Sequence, residues 1–171
     1  TSPNLLFERM NRTPEQVVTV ANPVVAEYSV LRDSLLPGLL NFLSYNKHVS
    51  YPQRIFECGD VVLISEAKPS RTDNERRLAA ATSDYTVSYE IIQSVLYGFL
   101  KNLSVRGWSI EPAEDSSFVL GRSAVIKLAE SQIGAIGEIN PNVLEQFHLE
   151  NPVAAFEVNL HKCMTSRATQ S

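Results

Sequence analysis

The sequence predicts an α+β domain, an antiparallel sheet flanked by helices. Three observations carry that expectation. Apolar and β-branched runs of strand length recur along the chain, and two amphipathic segments place apolar residues three and four apart as helices do. The two kinds of element do not alternate as the βαβ units of a parallel sheet would. A chain of 171 residues fits one domain and buries roughly 70% of its unfolded-chain surface, enough for a core without staples. No repeat of 20 to 50 residues is present.

The first element is a strand at residues 17–21, "VVTVA", stopped by Asn22 and Pro23. The stretch "EYSVLRDSLLPGLLNFLSYNKH" (27–48) then reads as one amphipathic helix containing a proline. Leu35, Leu36, Leu39, Leu40 and Leu43 form a broad stripe on a helix of about 35–45. Ser34 can serve as N-cap, with Pro37 in the first turn, where its missing N–H has no intrahelical partner to lose. Gly38 costs about 1 kcal/mol against alanine and lets another backbone approach. The stripe has the pattern of a core face, but pattern alone does not say whether its partner belongs to the same chain.

"RIFECGDVVLIS" (54–65) has the composition of a long core strand, with Gly59 marking a bulge or a close approach. Residues 66–77, "EAKPSRTDNERR", read as a solvated hairpin tip, and a second strand follows at 77–83. The clearest helix is 86–103, with Val87, Ile91, Val95, Phe99 and Leu103 four apart, Ile92, Leu96 and Leu100 beside them, and Asp84 or Thr86 as cap. A short strand, "GWSIEPAE", precedes a hairpin, "SAVIKLAESQIGAIGEI", that turns at about 130–132. Asn140 is a natural N-cap with Pro141 at the first helical position, and "AAFEVNL" is the last strand. The domain is expected over 1–160, with 161–171 as a frayed tail.

Composition excludes several classes of function. A net charge of -4 and a pI near 5.4 argue against a general electrostatic grip on nucleic acid. Cys58 and Cys163 are too far apart in sequence and context to imply a disulfide framework or a CxxC knuckle, which suits a reducing compartment. No charged-then-apolar leader and no run of about 18 apolar residues is seen, so neither a signal peptide nor a membrane span is expected and the cytoplasm is the expected location. The opening "TSPNLLFERM" reads as the start of a piece cut from a longer chain.

A search for chemistry finds little. His48, His148 and His161 lack metal-ligand spacing, and no GxSxG, GxxxxGK[ST] or GxGxxG motif occurs. Glu138 reads as a salt-bridged or surface carboxylate. No catalytic, cofactor-binding or metal-binding residue is assigned.

Three blocks, "NPVVAEYSVLRDSLLPGLLNFLSYNKH", "YPQRIFECGDVV" and "IGAIGEINPNVLEQFHLENPVAAFEVNL", carry a resemblance that covers nearly the whole chain in order. They resemble the C-terminal catalytic-like core domain of the phenylalanyl-tRNA synthetase beta subunit, of the archaeal and eukaryotic type. The most specific positions are Asn22, Pro23, Glu27, Tyr28, Leu31, Arg32 and 34–40, then Phe56, Glu57 and Gly59, then Pro141, Leu144, Phe147, Pro152, Val153, Phe156 and Glu157.

The resemblance implies a class II aminoacyl-tRNA synthetase-like sheet without a class II active site. In such a family the catalytic alpha subunit uses ATP and magnesium to attach phenylalanine to tRNA, holding ATP with one arginine from each of two motifs. Here "RIFECG" matches the second strand of motif 2, but "NKHVSYPQ" before it lacks the arginine and carboxylate pattern of the first. "AAFEVNL" stands where a glycine-rich strand would lead into an arginine-bearing helix, and Glu157 is expected in acidic surroundings. Arg32, Arg54 and Arg122 are the arginines within or next to the core motifs, and each reads as structural.

The resemblance further implies an alpha2beta2 heterotetramer with tRNA bound at the level of the whole enzyme. It makes Leu35, Leu36, Gly38, Leu39, Leu40 and Leu43 the expected contact with the alpha subunit, and the domain a structural, catalytically silent one. Two rivals are a free-standing class II-like ATP-using enzyme, which needs an arginine pair aimed into the sheet, and an RNA-binding module, which needs a basic or aromatic platform.

Overall fold

The computed structural model describes residues 1–25 and 28–168, so Glu27 lies outside the described residues. A π-helical turn, Asn4–Glu8, opens the chain. The elements that follow are α1 (Leu36–Tyr45), β1 (Gln53–Ile64), β2 (Thr72–Ser83), α2 (Tyr89–Asn102), β3 (Trp108–Pro112), β4 (Phe118–Leu128), β5 (Ser131–Ile139), α3 (Pro141–Gln146), β6 (Val153–Asn159) and α4 (Leu160–Ala168). The six strands form one sheet in the order β1-β2-β6-β5-β4-β3, and every neighbouring pair is antiparallel. The expected α+β architecture, an antiparallel sheet with flanking helices, is the one observed.

Because side chains alternate across a strand, β6 feeds two cores at once, and all seven of its residues are buried. On one face Val153 and Ala155 join Leu35, Leu36, Leu39, Leu40 and Leu43 of the leucine segment, with Val61, Ala79, Ala81, Phe118 and Phe147. On the other, Ala154, Phe156 and Val158 meet Ile92, Leu96 and Leu100 of α2 and Ile126, Ile133 and Ile136 of the β4–β5 hairpin. Each fully buried leucine or isoleucine contributes about 1.5–3 kcal/mol by leaving water.

The structure corrects several expectations. Residues 17–21 form no strand. They make a short ribbon, in which Val20 N–H donates to the Ser29 carbonyl and Leu31 N–H to that of Val18, because among the described residues no longer strand lies beside them. β2 begins at Thr72, inside the stretch expected as a loop. Its charged residues form ion pairs along the hairpin arm, where Arg76 pairs with Asp60 and Lys68 with Asp73, so the solvated tip shrinks to residues 65–71.

α2 starts at Tyr89, and neither Asp84 nor Thr86 caps it: the Asp84 carboxylate accepts from Tyr85 N–H instead. Only the Ile92, Leu96 and Leu100 row is buried. Ile91 and Val95 remain exposed, since a helix lying flat on a sheet inserts one row. The expected tail is helical to Ala168. Asn159 Oδ1 accepts from Lys162 N–H at 2.9 Å and starts α4, and Cys163 is buried in the α2-side core, while 169–171 fall outside the described residues.

Candidate functional site

The polar centre of the molecule is a cleft of about 470 Å³ where the N-terminal arm, the start of α1, β2 and β6 converge. Glu157 anchors it. Strand alternation turns its side chain toward the leucine helix, above Ala79 of β2 and Ala135 of β5, whose small side chains leave room. Its Oε2 accepts from Ser34 Oγ (2.7 Å), Leu35 N–H (2.9 Å) and Leu36 N–H (3.2 Å). These amides belong to the group that opens a helix without intrahelical partners, and a carboxylate there also meets the positive end of the helix dipole.

Ser34 therefore acts in relay. Its hydroxyl accepts weakly from Leu36 N–H (3.3 Å) and donates to Glu157, so the main cap of α1 comes from a residue more than 120 positions away rather than from Ser34 itself.

The other oxygen of Glu157, Oε1, accepts from Arg77 Nη1 at 2.9 Å. The same Nη1 reaches the Asp33 carbonyl (3.0 Å), and Nε and Nη2 both donate to Glu75 Oε2 (3.0 and 2.8 Å). Next to it, Arg12 forks onto Asp33 at 3.2 and 2.8 Å. Burial pulls both guanidiniums toward lower pKa, but the facing carboxylates outweigh it and hold both above the ordinary arginine value. The cleft lining carries five carboxylates, Glu15, Asp33, Glu75, Asp115 and Glu157, against the cations Arg12, Arg77 and Lys162. The acidic surroundings expected for Glu157 hold for the cleft as a whole, but its immediate partners are an arginine and helix amides.

Arg12 and Arg77 are absent from the sequence-based set of core arginines. Arg77 was readable in principle: in "RRLAAATS" the alternation puts Arg77, Ala79 and Ala81 on the face that α1 covers. The distance between Arg12 and its partner Asp33 left no such signal. Of the three arginines that the sequence singled out, Arg32 donates from Nε to the Asp60 carbonyl (2.9 Å) and from Nη1 to Glu57 Oε1 (2.6 Å). It lies over Gly59, where an added Cβ would sit 2.4 Å from Nη2. Gly59 is thus a close approach and no bulge, because the β1–β2 register is unbroken. Arg122 pairs with Glu138 at 2.7 Å, and Glu138 Oε1 also accepts from Tyr89 N–H (2.8 Å). The first turns of α1 and α2 are both held by carboxylates of the sheet.

The remaining predicted positions scatter. Leu35, Leu36, Leu39, Leu40 and Leu43 are all covered by their own chain, so as side chains they face the sheet and not the outside. Gly38 is half-buried, with Glu57 Oε2 3.7 Å from an ideal Cβ, so among the described residues no other backbone uses the close approach it permits. Asn22 and Tyr28 are exposed and Pro23 is half-buried. Phe147 and Phe156 are core residues, the first with the Arg9 guanidinium 5.6 Å from its ring centroid, and Phe56 is 75% exposed on β1. Pro141 opens α3 as expected, with Asn140 Oδ1 accepting from Asn142 N–H. β1 is the first strand of the long hairpin, as the sequence predicts, and a turn rather than a strand precedes it where the resemblance to motif 2 implies a first strand.

Known proteins resemble this chain over the same span. The family model described as phenylalanyl tRNA synthetase beta chain CLM domain matches residues 1–160. The phenylalanine--tRNA ligase beta subunit of Korarchaeum cryptofilum is 48% identical over 160 residues, 94% of this chain and 29% of that protein. The proteins of the same name from Pyrococcus abyssi (40% over 160 residues, 94% of this chain and 29% of that protein) and Saccharolobus islandicus (43% over 143 residues, 82% and 26%) are also similar. The chain spans less than a third of the length of these relatives.

Proposed function

The chain belongs to the phenylalanyl-tRNA synthetase beta chain CLM domain family, and on that premise we propose that it is the catalytic-like but catalytically silent core of a phenylalanine–tRNA ligase beta subunit. In this reading it has a class II synthetase-like fold and packs against an alpha subunit in an alpha2beta2 assembly in the cytoplasm. Attachment of phenylalanine to tRNA, with ATP and magnesium, takes place on the alpha subunit.

The observation that carries the proposal is the internal use of the cleft's charge. Forming an acyl-adenylate needs cationic groups aimed at the phosphates, and such groups contribute a few kcal/mol each only where they are preorganised toward the reacting atoms. Arg77 is held between Glu75 and Glu157, and Arg12 is forked onto Asp33. Glu157 spends both oxygens on the start of α1 and on Arg77. These side chains build a platform.

Pyrophosphate exchange with phenylalanine present, together with calorimetric titration of the chain with ATP and magnesium, tests this. The expected result is no exchange and no saturable heat. Micromolar ATP binding abolished by Arg77→Met would favour the free-standing ATP-using enzyme instead.

A further inference from the structure

The two edges of the sheet are built differently. β3 is five residues long and ends at Pro112, which has no N–H to offer, and Glu111 beside it is engaged by Lys127. These are ordinary ways of blunting an edge. β1 is twelve residues long. Val62 N–H donates outward to the Arg32 carbonyl, and the Asp60 carbonyl accepts outward from Arg32 Nε.

In an unbroken antiparallel register both backbone groups of every second residue point to the same side. The N–H and C=O groups of Arg54, Phe56 and Cys58 must therefore face outward too, and among the described residues no backbone group pairs with them. Beside this open row lies a groove of about 450 Å³ between α1 and β1, lined by Gly38, Phe42, Ile55 and Phe56. Phe42 and Phe56 are 54% and 75% exposed. Glu57 in the groove is neutralised by Arg32, whereas Arg54 has no ion-pair partner among the described residues, so the uncompensated charge along this edge is positive.

We propose that the β1 edge from Arg54 to Cys58 receives an extended segment of the alpha subunit as an added strand. The segment carries a carboxylate opposite Arg54, on the face of the sheet that Phe56 shares, and on the other face an apolar side chain in the groove between Phe42 and Ile55. This rests on the beta-subunit reading above, which supplies the partner, while the edge supplies the mode. Main-chain hydrogen bonds give affinity in such an addition, and the alternating side chains give selectivity.

Residue-resolved amide exchange on the full 171-residue chain, alone and mixed with the alpha subunit, tests it. The expected result is at least tenfold slower exchange at Arg54, Phe56 and Cys58 in the mixture. Cys58→Pro removes one outward donor without touching the β1–β2 ladder and is expected to weaken association at least tenfold, as is Phe56→Asp, with both variants keeping the wild-type dispersion of backbone resonances. Association that leaves these three amides exchanging as in the free chain overturns the strand addition but not the beta-subunit reading. Absence of any association overturns both. Protection that grows with the concentration of the chain alone assigns the edge to a second copy and overturns the proposal.

Discussion

Replacing Glu157 by Gln tests how the leucine helix is tied to the sheet. The substitution keeps size and shape but removes the charge, and it puts an amide NH2 where an oxygen stood. If that NH2 faces the helix, it meets the Ser34, Leu35 and Leu36 donors; if it faces the strand, it meets Arg77 Nη1. Either way donor opposes donor in a place where the side chain is 7% exposed.

A hydrogen bond to a charged group is worth roughly 1.5–3 kcal/mol, and removing one member of a buried pair costs roughly 3–5 kcal/mol. Glu75 still holds Arg77, which places the expected loss at the low end, about 3 kcal/mol. Urea unfolding reads it as a lower midpoint at unchanged slope. In a double-mutant cycle with Arg77→Met, the two changes together should cost about 1 kcal/mol or more less than their sum. A loss below about 1 kcal/mol for Glu157→Gln would refute the remote cap.

Two further predictions follow from burial and close approach. Gly59→Ala places a Cβ on the Arg32 guanidinium, which is the movable end of a flexible chain, so the cost is that of releasing Arg32 from Glu57 and the Asp60 carbonyl, about 1 kcal/mol, and it should vanish in an Arg32→Ala background by urea unfolding. Burial raises the Cys163 thiol from 9.0 to about 11. A thiol whose folded pKa lies above its unfolded value contributes stability that is intact below the unfolded pKa and is lost as pH rises toward the folded one, so about 2–3 kcal/mol should disappear between pH 9 and pH 11. Cys163→Ala should flatten that part of the stability profile, and at pH 8 a thiol reagent should modify the exposed Cys58 well before Cys163.

What the sequence made legible follows from range. α1, α3 and the long strands were readable because their signals are local: Pro37 and Pro141 in first turns, Asn140 as cap, apolar periodicity, and a glycine beneath Arg32. Residues 17–21 have the composition of a strand, and only the lack of a neighbouring strand denied them one. Ser34 caps α1 only weakly, the main cap being Glu157 arriving from β6, which local pattern cannot show, and Asp84 gives way to Glu138 at α2 in the same way. The apolar character of the leucine stripe is legible in its spacing, but a helical pattern does not say what it faces. The structure turns its five leucines inward and leaves Phe42 and Phe56 at the surface, where an aromatic residue at the end of a helix or on an edge strand has no distinctive signal.

Sedimentation of this chain mixed with the alpha subunit of a phenylalanine–tRNA ligase, at micromolar concentrations and with ATP withheld, addresses the central claim most directly. The account predicts a stable complex that forms without ATP, survives Arg77→Lys, and is lost on Phe56→Asp. Two species that sediment independently over that range, with both chains shown to be folded, would contradict it.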